Sequence, residues 1–225
     1  MVKHYAKGVM VKLEERFWVN MQSWILCSYY TLNTPYQVVA HEYLMSSLKK
    51  ISVKSDIRGV ENLGSWQKNT SYKSQFILEM LEKHTENIVF VDADAEILQF
   101  PSLFDTIPTE FNLAAHILDK SRWYGRDYGS QSEELLSGTF FVRNCQESRK
   151  IITEWDITCK MFPQIWEQQI LAKVLKNNNI SVYQLPIEYT WIRNLPDGRD
   201  PIVKSDGPII IQHNQVSRKL RGLIH

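Results

Sequence analysis

The sharpest hydrophobic pattern in the chain is a short one. Ile88, Val89, Phe90 and Val91 run without interruption and stop abruptly at Asp92, Ala93 and Asp94. A β-branched and aromatic run of this length is too short for a helix and suits a strand covered on both faces. Upstream, residues 23–32 are apolar and aromatic, Asn33, Thr34 and Pro35 supply an N-cap and a proline near the first helical position, and a helix follows. Its apolar stripe is Val38, Val39, Tyr43, Leu44 and Leu48. A second strand is expected near residues 51–60, and Gly64 and Ser65 then break the chain before a helix that buries Phe76, Ile77, Met80 and Leu81. Strand, helix, strand, helix, strand is the order of a parallel sheet with right-handed crossovers.

Downstream, the apolar residues 97–104 suggest a turn of helix resting on the sheet, and residues 112–117 suggest another strand. Residues 119–134 carry Trp123, Tyr124 and Tyr128 without helical or alternating period, which predicts a loop folded over a site. A strand over 135–144 contains Ser137 and Gly138, a small pair that allows close approach to the backbone. Helices are expected over 145–161 and 165–176, short strands near 182–186 and 188–192, a turn-rich link over 196–201, and a last strand closing at His213. The expected fold class is therefore α/β, a mostly parallel sheet flanked by helices in a single domain.

Composition narrows the function. The 225 residues are 44% hydrophobic, enough for a sizeable core, and 26 Lys plus Arg balance 25 Asp plus Glu. That balance removes the case for binding nucleic acid by bulk electrostatics alone. Cys27, Cys145 and Cys159 are odd in number and lack metal or redox spacing, so they read as reduced thiols of a cytoplasmic protein. The N-terminal residues interrupt apolar positions with charge, and no run approaches a membrane span, so a soluble chain is expected.

The candidate chemistry lies at the end of the 88–91 strand. Ligands of parallel sheets bind beyond the carboxyl ends of the strands, which is where Asp92 and Asp94 fall. Two converging carboxylates repel unless a cation lies between them, and Mg²⁺ or Mn²⁺ held with substrate phosphates is a common remedy. Capping of the following turn by the same acids is the structural alternative.

Five segments together resemble a known family: WxxNxxYKxxFI at 66–77, FVDADAEI at 90–97, LSGTFFVRN at 136–144, WEQQIL at 166–171 and IIIQHNQVSRK at 209–219. They look like nucleotide-sugar glycosyltransferases of the GT-A fold, closest to the retaining, glycogenin-like and bacterial galactosyltransferase-like branch. The resemblance implies an extension over 1–22, a nucleotide-sugar-binding half over 23–118 and an acceptor-side half over 119–225. It makes Asp92 and Asp94 the DxD pair that binds the metal and the diphosphate, with Asp92 near the ribose and His213 a late metal ligand. An imidazole beside two carboxylates suits Mn²⁺ better than Mg²⁺. Lys73 would face the phosphates, Ser137 and Gly138 would border the donor sugar, and Arg218 and Lys219 could reach the departing diphosphate. Glu167 and Gln168 match an acidic-amide pair near the reacting carbon, although the commoner form is Asp-Gln.

The expected function is metal-dependent transfer of a sugar from a nucleotide sugar, a UDP-sugar favoured, to an acceptor hydroxyl. An inverting enzyme would use Glu167 or Asp127 as base. A retaining one would use the leaving phosphate, with Gln168 or Glu167 supporting the cationic ring. The acceptor is either a saccharide or a hydroxylated DNA base. For DNA, Lys3, Lys7, Lys12, Lys49, Lys50, Lys54 and Arg58 could meet the backbone while Trp123 stacks on a base. Two competitors remain: a non-catalytic sugar-nucleotide or carbohydrate-binding module, and a nucleotidyltransferase using the same acids, against which the glycine-free 31–36 turn argues.

Overall fold

Strand formation is strongest where the sequence is most uniformly apolar. In the computed structural model, which describes residues 22–193 and 205–220, β1 (Trp24–Thr31) is buried along nearly its whole length. It lies between β2 (Ser55–Val60) and β3 (Asn87–Val91), parallel to both. The link over 196–201 and the N-terminal residues, including Lys3, Lys7 and Lys12, lie outside the described residues.

The two crossovers follow the local signals. Helix α1 starts at Pro35–Ala40, where the Thr34 side chain accepts the Tyr36 N–H, passes through a π-helical turn at His41–Met45, and ends with Ser46–Leu48. Its buried face centres on Ala40, Leu44 and Ser47, so Val38 falls nearly opposite and is 64% exposed, against expectation. Helix α2 (Trp66–Lys83) is capped by Ser65 and buries Phe76, Ile77, Met80 and Leu81 completely.

Beyond β3 the sheet becomes mixed. Its order is β2-β1-β3-β6-β5-β7, with β6 (Glu133–Val142) antiparallel between β3 and β5 (Leu113–Asp119), and β7 (Tyr183–Gln184) parallel to β5. Three of the five pairings are thus parallel. Helices α4 (Gln146–Met161) and α5 (Glu167–Asn177) join α2 over one face, against Ile88, Phe90, Phe140 and Val142. The opposite face, with Val89, Val91 and Phe141, packs on Trp24, Leu44, Phe104 and Ile210. Alternation along β3 explains the division, and both faces are covered as a continuous apolar run requires.

Two stretches depart from their expected form. The residues after the acids make a strand, β4 (Ala95–Ile97), before the single helical turn Ser102–Asp105. This strand pairs with β9 (Ile210–Gln212), and β9 with β8 (Trp191–Ile192), as a small second sheet. The 119–134 stretch is likewise not one loop. Asp119 caps the short helix α3 (Lys120–Tyr124), which ends at left-handed Gly125, and a 3₁₀ turn follows at Gly129–Gln131. Trp123 is only 1% exposed and packs edge-to-face on Trp191, so it anchors this segment and offers no face for a base.

The suggested basic surface is also discharged locally. Lys54 pairs with Glu86, and Arg58 with Asp56 and Glu79, which leaves Lys49 and Lys50 as its exposed cations among the described residues. Cys27 and Cys159 are buried, and burial pushes the Cys159 thiol up to about 12. Among the described residues no helix is long and apolar enough to cross a membrane.

Asp56 ties the start of β2 to the end of α2 through Lys83, His84 and Arg58. Burial alone would raise its pKa, but these partners together lower it to about 2. The contribution is therefore present above the unfolded value of about 3.9 and disappears as pH falls toward about 2. Asp56→Asn is expected to cost on the order of 1–2 kcal/mol near neutral pH and almost nothing at the acid end, read as a converging pair of urea midpoints. A constant difference across that range would remove Asp56 as the cause.

Candidate functional site

The sharp end of β3 is fixed by hydrogen bonds. Asp92 N–H donates to the Gly138 carbonyl at 2.9 Å, and Ala95 N–H donates to the Asp92 carbonyl at 3.0 Å. The chain therefore turns from the large sheet into the small one across Asp92, Ala93 and Asp94, and all three residues line an open cleft of about 1150 Å³. The Gly138 backbone approaches so closely that an added Cβ would lie 3.1 Å from Asp92 Oδ2 and 3.3 Å from the Gln212 amide carbon. A side chain there would displace the carboxylate.

Lys73 organises the floor. Its ammonium lies 2.9 Å from Asp92 Oδ1, 3.0 Å from Glu167 Oε1 and 3.0 Å from Ser137 Oγ, above the Phe90 ring. The residue is 3% exposed, and burial alone would favour a neutral amine. Asp92 and Glu167 outweigh that cost and hold the lysine above its ordinary pKa, as an ammonium. Lys73 thus does not stand as a phosphate-facing cation on a helix surface; its charge is committed to two carboxylates.

Ser137 and Gln168 extend the network. Gln168 Oε1 accepts from Ser137 N–H at 3.0 Å and lies 3.2 Å from Ser137 Oγ, while its Nε2 donates to Glu134 Oε1 at 2.8 Å. These contacts fix which way the amide points. Glu167 opens α5, where a carboxylate also meets the positive end of the helix, and its carbonyl accepts from Trp155 Nε1.

Around this floor the cleft is walled by Tyr30, Thr31 and Tyr36 near the end of β1, by Trp66, Asn69 and Thr70 from α2, and by Tyr124, Ile192, Asn214 and Arg218 opposite. Asn214 and Arg218 belong to the last helix, α6 (Asn214–Leu220). Among the described residues, the ionised lining of the cleft comprises four carboxylates, Asp92, Asp94, Glu134 and Glu167, against two cations, Lys73 and Arg218.

The expected residues are not all brought together. Asp92, Asp94, Lys73, Ser137, Glu167, Gln168 and Arg218 line the cleft. Lys219 is exposed and outside its lining, and Asp127 is turned into its own loop, accepting from Gly129 N–H at 2.7 Å. His213 pairs with Glu96 at 2.9 Å and stacks on Tyr43, whose π-helical turn carries the ring to it, at 3.9 Å. No group of three or more His, Cys, Asp or Glu side chains is close enough to hold a metal among the described residues, so the Asp92, Asp94 and His213 trio is not assembled. Asp92 and Asp94 fit an oxygen-preferring divalent ion whose remaining ligands come from a diphosphate; His213, engaged by Glu96, does not join that set in this arrangement. Glu134 was the residue sequence reading missed most completely, because it sits in a stretch without period. Trp66 and Trp166 were visible only as members of motifs.

Comparison with known proteins agrees with the fold. Residues 40–222 match the model of the nucleotide-diphospho-sugar transferase family. A glycosyltransferase involved in glycosylation of the major capsid of PBCV-1 superposes with a TM-score of 0.59 at 16% identity, over 88% of this chain and 95% of that one. Mouse xyloside xylosyltransferase 1 in its apo form superposes with a TM-score of 0.53 at 10% identity, over 85% of this chain and 97% of that one. No curated protein sequence matches the chain. With most of its length covered by the family model and a GT-A-type fold around the cleft, this protein belongs to the nucleotide-diphospho-sugar transferase family and is a glycosyltransferase.

Proposed function

We propose that the cleft binds a nucleoside-diphosphate sugar, a UDP-sugar favoured, with its diphosphate at Asp92 and Asp94, and transfers the sugar to an acceptor hydroxyl. The observation that carries this reading is the buried Lys73 network, which aligns Asp92 at the end of β3 with Ser137 in the middle of β6 and with Glu167 and Gln168 at the start of α5. The excess of carboxylates over cations in the lining would repel a dianionic diphosphate unless a divalent ion accompanied it. That charge balance supports a metal-dependent donor site, with Mn²⁺ or Mg²⁺ held by Asp92 and Asp94. When bound, such an ion supplies Lewis-acid stabilisation of the charge growing on the departing diphosphate.

The chain's own residues divide the remaining work. Arg218, on the opposite wall, is available to the leaving phosphates as a further cation. Glu167 is hydrogen-bonded to an ammonium, and its charge is placed to stabilise the oxocarbenium-like ring. Gln168 holds its amide rigidly beside the same position. This division favours retention, in which the departing phosphate accepts the acceptor's proton.

Incubation with Mn²⁺ and a panel of nucleotide sugars is expected to release nucleoside diphosphate, and no turnover of any donor would overturn the reading. Asp94→Asn should lower metal-dependent turnover about a hundredfold or more. His213→Ala should lower it less, about tenfold, because its imidazole is engaged with Glu96; equal losses would make His213 a ligand of equal standing. Lys73→Met leaves Asp92 and Glu167 facing each other without a counter-charge and is expected to cost about 3–5 kcal/mol of stability, measured by urea unfolding. A cost below about 1 kcal/mol would remove the network from its structural role.

A further inference from the structure

The cleft carries an aromatic pair that the chemistry above does not use. Trp66 opens α2 and Trp166 immediately precedes α5, and Lys73 joins those two helices through its bond to Glu167. Both indoles are half-buried and line the cleft, with ring centroids 5.5 Å apart and planes inclined by 57°. Gripping a flat nucleobase between two rings takes roughly 7 Å between parallel planes, twice a van der Waals contact of about 3.5 Å. The pair touches itself and leaves no slot. It presents instead a stepped apolar surface, which suits the C–H face of a pyranose ring.

A polar partner stands in the same lining. Glu134 reaches the cleft with its side chain 34% exposed; one carboxylate oxygen accepts from Gln168 Nε2 at 2.8 Å and the other lies 3.8 Å from the Lys120 ammonium. A carboxylate has about four acceptor positions, so Glu134 retains capacity for a hydroxyl donor. The sugar hydroxyls are such donors, and the same oxygens would repel a phosphate backbone. Of the cations suggested for DNA, Lys54 and Arg58 are already paired with carboxylates.

We propose that Trp66, Trp166 and Glu134 form the acceptor subsite, and that the acceptor is a pyranose saccharide rather than a hydroxylated DNA base. The inference rests on the glycosyl-transfer reading of the same cleft. Isothermal titration of the full chain in UDP and Mn²⁺ with maltose, lactose and cellobiose, and separately with a hydroxymethylcytosine oligonucleotide, tests it without requiring turnover. At least one disaccharide is expected to bind at millimolar concentration. Trp66→Ala and Trp166→Ala should each weaken that binding about tenfold, while Trp→Phe at either position, which keeps a flat apolar face, should restore most of it. Glu134→Gln, at a partly exposed position, should weaken it about threefold or more and guards against an alanine variant that merely fails to fold.

Binding of the oligonucleotide but of no saccharide overturns the proposal. So does saccharide binding that the alanine and glutamine variants leave unchanged, or the absence of binding by every probe. Failure of the glycosyl-transfer reading registers separately, as the absence of nucleoside-diphosphate release from every donor offered.

Discussion

A single buried ammonium sets the geometry of the cleft. Lys73 leaves α2 with almost no exposure and ends between Asp92, at the tip of β3, and Glu167, at the start of α5. Two carboxylates brought this close would repel, and one buried cation facing neither would be costly. Together they hold a strand end and two helices in one place. Helix α5 is distant in sequence from the other two, Lys73 and Glu167 being 94 residues apart, so the contact constrains the tertiary structure as well as the site. Ser137 and Gln168 then take their positions from the same centre, because Ser137 Oγ meets both Lys73 and Glu167.

The turn through the two acids is coupled to the second sheet by equally specific means. Gln212, buried at the end of β9, donates to the Gly138 carbonyl that also receives Asp92 N–H, and His213 N–H donates to the Asp94 carbonyl. The late chain segment therefore braces both acids through the backbone. The His213 side chain turns elsewhere, to Glu96 and Tyr43. The wider π-helical turn that carries Tyr43 is a type of irregularity common near functional sites.

Periodicity made the left half of the sheet legible. The uninterrupted 88–91 run and the spacing of Phe76, Ile77, Met80 and Leu81 each require one local arrangement, and both occur. Strand β4 escaped because it has three residues and pairs with β9 across more than a hundred positions, which no local pattern can encode, whereas β8 and β9 fall within the short strands expected near 188–192 and before His213. Trp123 was misplaced for a related reason: an aromatic in a stretch without period gives no sign that Trp191 will cover it. The acids were visible from their place after a strand. The partners of Lys73 were not, since a lysine within the polar run 66–75 looks the same whether it meets water or two carboxylates.

That distinction bears on the stereochemical course. A free Glu167 at the reacting carbon could attack it or take a proton from the acceptor, whereas here Glu167 Oε1 is held by an ammonium 3.0 Å away and by Ser137 Oγ. Asp127, the other carboxylate considered for the base, is spent on its own turn. Glu134 faces the cleft, but its bond to Gln168 and its proximity to Lys120 suit it to orient a hydroxyl more than to deprotonate one. Asp127, Glu134 and Glu167 are thus each held by a partner within the fold. The retaining transfer proposed above, with the leaving group as base, is the course that this distribution of charge supports.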